Sequence, residues 1–214
     1  MSNIHDLGLD LIYAAAHGDL VKTSDCIKKG AIIDCEDRFG QTPLMAAISN
    51  TYTSGFNIDN FGASKKEAKR KVLLFLLEKG ANVNKQNKFG ETPLHMAVKQ
   101  YNIDIVQLLL TPNGAFPDSK DKEGYTPLMS AIISSHPDDA ALLIMAGADL
   151  NLQNKYGESA LMLCAKNNSN LIARFLIENK KTNIHLEDLD GKTARDHAEE
   201  NDNEKFISIL NQFD

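Results

Sequence analysis

Residues 88–95 read KFGETPLH: a charged-aromatic pair, a glycine, Glu91, a Thr-Pro pair, Leu94 and His95. Taken alone, Gly90 suggests a phosphate loop and His95 a general base. The stretch is not alone. "DRFGQTPLMAA" begins at Asp37, "NKFGETPLHMA" at Asn87, "DKEGYTPLMSA" at Asp121 and "NKYGESALMLC" at Asn154, with a fainter "DLDGKTARDHA" from Asp188. Apolar segments follow, and most end in a Gly-Ala pair: Gly30-Ala31, Gly80-Ala81, Gly114-Ala115 and Gly147-Ala148. The opening segment shares the register, because Leu11 to Gly30 spans 19 positions, as does Leu128 to Gly147. Recurrence at this period marks architecture before chemistry.

Each unit can be read physically. Thr42, Thr92 and Thr126 stand where a hydroxyl caps a helix, and Pro43, Pro93 and Pro127 follow at the first helical position, where a missing N–H costs nothing. Small residues in the ensuing helix (Ala14, Ala47, Ala97, Ala131) allow close approach of neighbours. A second helix carries stripes such as "IVQLLL" from Ile105 to Leu110, and a glycine in the left-handed conformation ends it. The Asp/Asn-x-x-Gly element then turns the chain into the next unit.

These residues resemble the ankyrin repeat, whose "TPLHxA" and "GADVN" signatures stand here as Thr92–Ala97 and Gly147–Asn151. The resemblance covers about residues 8 to 211 and implies an all-α repeat solenoid of stacked helix-turn-helix units joined by hairpin-like turns. Six units are expected, at 8–36, 37–86, 87–120, 121–153, 154–187 and 188–214, the first and last degenerate. It also implies a non-enzymatic protein-binding module, and it assigns His95 to bracing the hairpin rather than to reaction. The equivalent positions carry Met45, Met129 and Met162, so no ligand recurs.

The second unit departs from the pattern, since Leu44 to Gly80 spans 36 positions. The extra chain falls at 49–63, with Tyr52, Phe56 and Phe61 as its aromatics. Ser64-x-x-Glu67 resembles a capping box, so the second helix is expected to restart at Ser64. It opens with Lys65, Lys66, Lys69, Arg70 and Lys71, cations that oppose the helix macrodipole. Such a cluster can receive phosphate or carboxylate; the alternative is a solvated face. Pro112 predicts an early end to the second helix of the third unit, and "NKKTN" (179–183) predicts looser stacking of the fifth on the sixth. The last segment keeps apolar Ala198, Phe206, Ile207, Ile209 and Leu210 among charged residues, as a terminal cap requires.

Composition narrows the function. The chain has 214 residues, 43% hydrophobic and 24% charged, and its net charge of -6 opposes nonspecific nucleic-acid binding. No apolar run reaches membrane-span length, and the N-terminus lacks a signal-peptide pattern, so a cytoplasmic monomer without membrane or nucleic-acid partners is expected. Cys26, Cys35 and Cys164 form neither a zinc pattern nor a disulfide framework; Cys26 and Cys164 fall on core positions, and Cys35 lies in a turn where exposure is expected. His17, His136, His185 and His197 lack metal-ligand spacing, and no P-loop or dinucleotide fingerprint occurs. Neither an enzyme nor a cofactor is expected.

The functional signal is a row of hairpin tips: Arg38-Phe39, Lys88-Phe89 and Lys155-Tyr156 precede the tip glycines, and Tyr125 follows one. In ankyrin arrays such tips line the concave groove and contact partners. Aromatic rings there give large contact area, and the cations beside them suit an acidic or carbonyl-rich surface. The alternative is that they only shield neighbouring backbone. The resemblance further implies asparaginyl hydroxylation at Asn84 and Asn151, with Leu76 and Leu143 eight residues earlier, and more at Asn151. The tail from Glu199 to Asp214 resembles the Glu-rich export signal of effectors that intracellular bacteria secrete into a host cell; a polar cap is the simpler reading.

Overall fold

The computed structural model describes residues 4–49, 62–111 and 113–213. Twelve helices form among them, as six consecutive pairs: α1 (Ile4–His17) with α2 (Leu20–Lys28), α3 (Pro43–Ile48) with α4 (Gly62–Glu78), α5 (Pro93–Lys99) with α6 (Ile103–Leu110), α7 (Pro127–Ile133) with α8 (Pro137–Met145), α9 (Ala160–Lys166) with α10 (Asn170–Glu178), and α11 (Ala194–Glu200) with α12 (Glu204–Leu210). The described residues contain no strand, only an isolated bridge between Gln153 and Ser159. The fold is the all-helical repeat solenoid that the recurring pattern implies.

Capping fixes where the first helices begin. Oγ1 of Thr42, Thr92 and Thr126 accepts the backbone N–H of Met45, His95 and Met129, at 3.3, 3.4 and 3.3 Å. Ser159 and Thr193 serve α9 and α11 in the same way. Each first helix packs on the next, α1 to α11 in series, and joins its neighbours to one apolar cluster that runs from Ile12 to Leu210. Leu44, Leu94 and Leu128 are almost wholly buried in that cluster. Each such leucine contributes about 1.5–3 kcal/mol of burial, so the stack supplies a core that no single helix pair has.

The glycine of KFGETPLH is demanded twice. Its φ is +78°, and a Cβ there would lie 2.6 Å from the backbone nitrogen of Lys122 in the following tip. That closeness serves a bond, because Lys122 N–H donates to the Phe89 carbonyl at 3.0 Å. The same link runs from Lys88 to Phe39, Lys155 to Glu123 and Leu189 to Tyr156. Five tips are thereby zipped into one edge.

The second helices stack similarly, α2 on α4, α6 on α8, α8 on α10 and α10 on α12. The exception is the α4–α6 junction. Here α4 has 17 residues where α6, α8 and α10 have 8 or 9, and its N-terminal half leans on the end of α1. A Cβ on Gly18 would meet Lys69 N at 2.9 Å.

Three expectations need correction. α4 begins at Gly62, so Ser64 lies inside it rather than at its start. The fifth and sixth pairs pack as closely as the others, with Asn203 Nδ2 donating to the Ala165 carbonyl across the junction. Cys35 is half-buried, its thiol donating to the Gly8 carbonyl at 3.3 Å, and burial pushes its pKa up to about 11. The early end of α6, at Leu110, is as Pro112 predicts. α12 buries Phe206, Ile209 and Leu210, which commits that part of the tail to the cap.

Candidate functional site

Each tip is built around one Asp or Asn side chain. Oδ1 of Asn87 accepts the N–H of Phe89 at 2.8 Å and of Glu91 at 3.0 Å. Asp37, Asp121, Asn154 and Asp188 repeat the arrangement. With the backbone groups satisfied locally and by the tip ladder, the side chains at the apex are turned outward. Phe39, Phe89 and Tyr156 remain 40%, 56% and 47% exposed. Arg38 lies over the Phe39 ring at 4.6 Å and Lys155 over Tyr156 at 5.2 Å, so cation and ring form one amphipathic tip. Lys88 is exposed beside Phe89.

The row is not uniform. Glu123 forms an ion pair with Lys155 and accepts from the Tyr156 hydroxyl at 3.5 Å, so the cation of the fifth tip is offset by the fourth. Arg38 and Lys88 are the exposed cations of the edge's N-terminal half. Tyr125 does not join the apex. It is half-buried against the core, and its carbonyl accepts a bond from His95.

Three exposed residues extend the surface, and nothing in the Thr-Pro pattern marks them. Tyr13 (58% exposed) and Leu9 line a hollow with Arg38 and Phe39 at the N-terminal end. Leu189, 77% exposed, occupies the last tip where others carry Lys or Arg. The first unit has no Thr-Pro start and the last no aromatic tip, so neither could be found by matching repeats.

His95 is wholly buried. Its Nδ1 accepts the Thr92 N–H at 3.2 Å, which leaves the proton on Nε2 to donate to the Tyr125 carbonyl at 3.0 Å. Burial lowers its pKa, the tie to the Tyr125 carbonyl working against this. In the fifth unit Met162 Sδ takes the place of Nδ1, accepting the Ser159 N–H at 3.3 Å. The imidazole thus closes a turn and braces the next unit.

Asn84 and Asn151 are both engaged across units. Asn84 accepts from Phe116 N and donates to the Gly114 carbonyl, and Asn151 does the same with Asn183 N and the Lys181 carbonyl. Their equivalence removes the reason for expecting more modification at Asn151. Hydroxylation at either stays a proposal, and the amide pair must open first.

Tyr52, Phe56 and Phe61 lie outside the described residues. Of the neighbouring basic cluster, Lys65, Lys66 and Arg70 are exposed and Lys69 is buried, and all four line the cleft between α4 and α6. Among the described residues no group of three or more His, Cys, Asp or Glu is placed to hold a metal ion, and no helix is long and apolar enough to cross a membrane.

A family model for ankyrin repeats matches residues 61–154 and 138–213, well over half of the chain. No curated protein matches it.

Proposed function

We propose that this chain, since it belongs to the ankyrin-repeat family, works as a non-enzymatic module that binds another protein along its hairpin tips. Ankyrin repeats are in general protein–protein interaction modules, and the finer assignment is to the edge formed by Arg38-Phe39, Lys88-Phe89 and Lys155-Tyr156, with Tyr125 behind it. The observation that carries it is the exposure of Phe39 and Phe89 on adjacent tips joined by the Lys88-to-Phe39 bond. Rings held on a fixed backbone lose little entropy on contact, which is what a binding hot spot needs. The cations of the N-terminal half favour an acidic or carbonyl-rich partner surface.

The test is a pull-down with the intact protein and with Phe39→Ala/Phe89→Ala, followed by titration of the partner recovered. Affinity should fall at least tenfold, since buried aromatic anchors contribute about 2 kcal/mol or more at a hot spot. Circular dichroism should be unchanged, because the apex lies outside the core. Unaltered affinity with intact fold removes the assignment.

A further inference from the structure

At the opposite end of α3 and α5 from the tips, a cleft of 370 Å³ separates α4 from α6. Ile48, Leu73 and Ile105 are among the apolar residues of its wall. Lys65, Lys66, Lys69 and Arg70 are its cations, and Asp104 is the only carboxylate among its lining residues, 3.9 Å from Lys66. Lys69 is 7% exposed, and its Nζ donates to the Ser49 carbonyl at 2.5 Å.

In three later junctions the residue that starts the second helix bonds a carbonyl of the preceding unit, and among the described residues this junction has no such bond. His136 Nδ1 bonds the Val98 carbonyl at 3.0 Å, Ser169 Oγ the Ile132 carbonyl at 3.4 Å, and Asn203 Nδ2 the Ala165 carbonyl at 3.3 Å. Asn102 holds the equivalent place between the second and third units. Its Oδ1 is buried and has no hydrogen-bond partner among the described residues, and Asn102 lines the cleft. A buried acceptor without a partner, a buried cation and three further cations therefore converge on one apolar hollow. Unpaired buried polar atoms are rare and costly in native proteins, and like charges on successive helical turns repel.

We propose that this cleft binds a small organic phosphate. Four cations against Asp104 leave an excess of three positive charges, of which a phosphate monoester dianion offsets two and a single carboxylate only one. The organic body lies against Ile48, Leu73 and Ile105, and a hydroxyl or N–H on it donates to Asn102 Oδ1. The volume lies in the range of small-molecule sites. The bound anion also adds to the one exposed ion pair, Lys66 with Asp104, that joins α4 to α6.

Calorimetric titration of the whole protein with p-hydroxyphenyl phosphate tests the site, with hydroquinone and 4-hydroxybenzoate as companions. Saturable binding of the phosphate, at least tenfold tighter than of either companion, is expected. Lys66→Gln/Arg70→Gln, both exposed positions, should weaken it at least tenfold, and Lys69→Met should do likewise. Lys28→Gln/Lys29→Gln, a surface pair remote from the cleft, and Phe39→Ala/Phe89→Ala should leave it unchanged, which separates this site from the tips. Co-sedimentation with vesicles containing phosphatidic acid distinguishes a lipid headgroup from a free phosphate; either source supports the site if Lys66→Gln/Arg70→Gln abolishes the preference. Absence of binding in both assays, or equal loss in Lys28→Gln/Lys29→Gln, overturns it.

Discussion

Single side chains in this protein show how burial sets the pH response of a repeat. His95 is held neutral, its folded pKa depressed by burial below the ordinary histidine value, so its contribution is present above about pH 6.5 and is lost as pH falls through the lower folded value. Methionine occupies the same place in three other units, which makes His95→Met a conservative probe. It should lower the urea midpoint at pH 7.5, by loss of hydrogen bonds worth about 1 kcal/mol each, and the deficit should shrink or reverse by pH 5. A deficit of constant size across that range would mean that the imidazole does not resist protonation. Asp139 titrates in the opposite sense. It is fully buried, neither carboxylate oxygen has a hydrogen-bond partner among the described residues, and burial raises its pKa, with His136 opposing. A raised folded value costs stability above it, a cost relieved as pH falls. The same register carries Ile105, Ile172 and Phe206, so Asp139→Val should raise the unfolding free energy from a urea melt at pH 7 by about 1 kcal/mol, and by less at pH 3.5. A fall at pH 7 would show that the carboxylate is supported by the N-terminus of α8 after all.

At the scale of elements, what was legible in the chain is what depends on neighbours in sequence. Thr-Pro pairs place the starts of α3, α5 and α7, Asp/Asn-x-x-Gly places the tips, and Pro112 places the end of α6, because capping, turns and proline act within a few residues. The exposed rings of Phe39, Phe89 and Tyr156 were legible for the same reason, being tied to those turns. What escaped depends on separate units meeting. The Glu123–Lys155 pair links residues of two tips, Tyr13 meets Phe39 only once the first two units stack, and the α4–α6 cleft follows from α4 leaning on Gly18. The start of α4 at Gly62 rather than Ser64 belongs here too, since a cap pattern names a possible start without excluding an earlier one.

At the scale of the molecule, a solenoid holds together through nearest-neighbour junctions, so its stability is only as uniform as they are. The junction between the second and third units is tied on the first-helix and hairpin side: α3 packs on α5, Lys88 N–H bonds the Phe39 carbonyl, Asn84 accepts the Phe116 N–H at 2.8 Å, and Gln86 Nε2 donates to the Lys120 carbonyl at 2.9 Å. Among the described residues it lacks the close packing of second helices, and Asn102 makes no bond of the kind that His136, Ser169 and Asn203 make in the later junctions; the Lys66–Asp104 pair is exposed. Opening there exposes less apolar surface than opening between α7–α8 and α9–α10, where both layers are packed. The first two units should therefore separate from the rest below the global transition. Hydrogen exchange in increasing urea should show the amides of α1, α2, α3 and α4 reaching a common, lower opening free energy than those of α7, α8, α9 and α10. Tyr101 and its neighbours in the cleft should follow the weaker group on one side only, since α5 and α6 stay with the later units. An equal opening free energy from α1 to α12 would mean that the first-helix stack alone carries cooperativity, and that the gap between α4 and α6 costs the fold nothing.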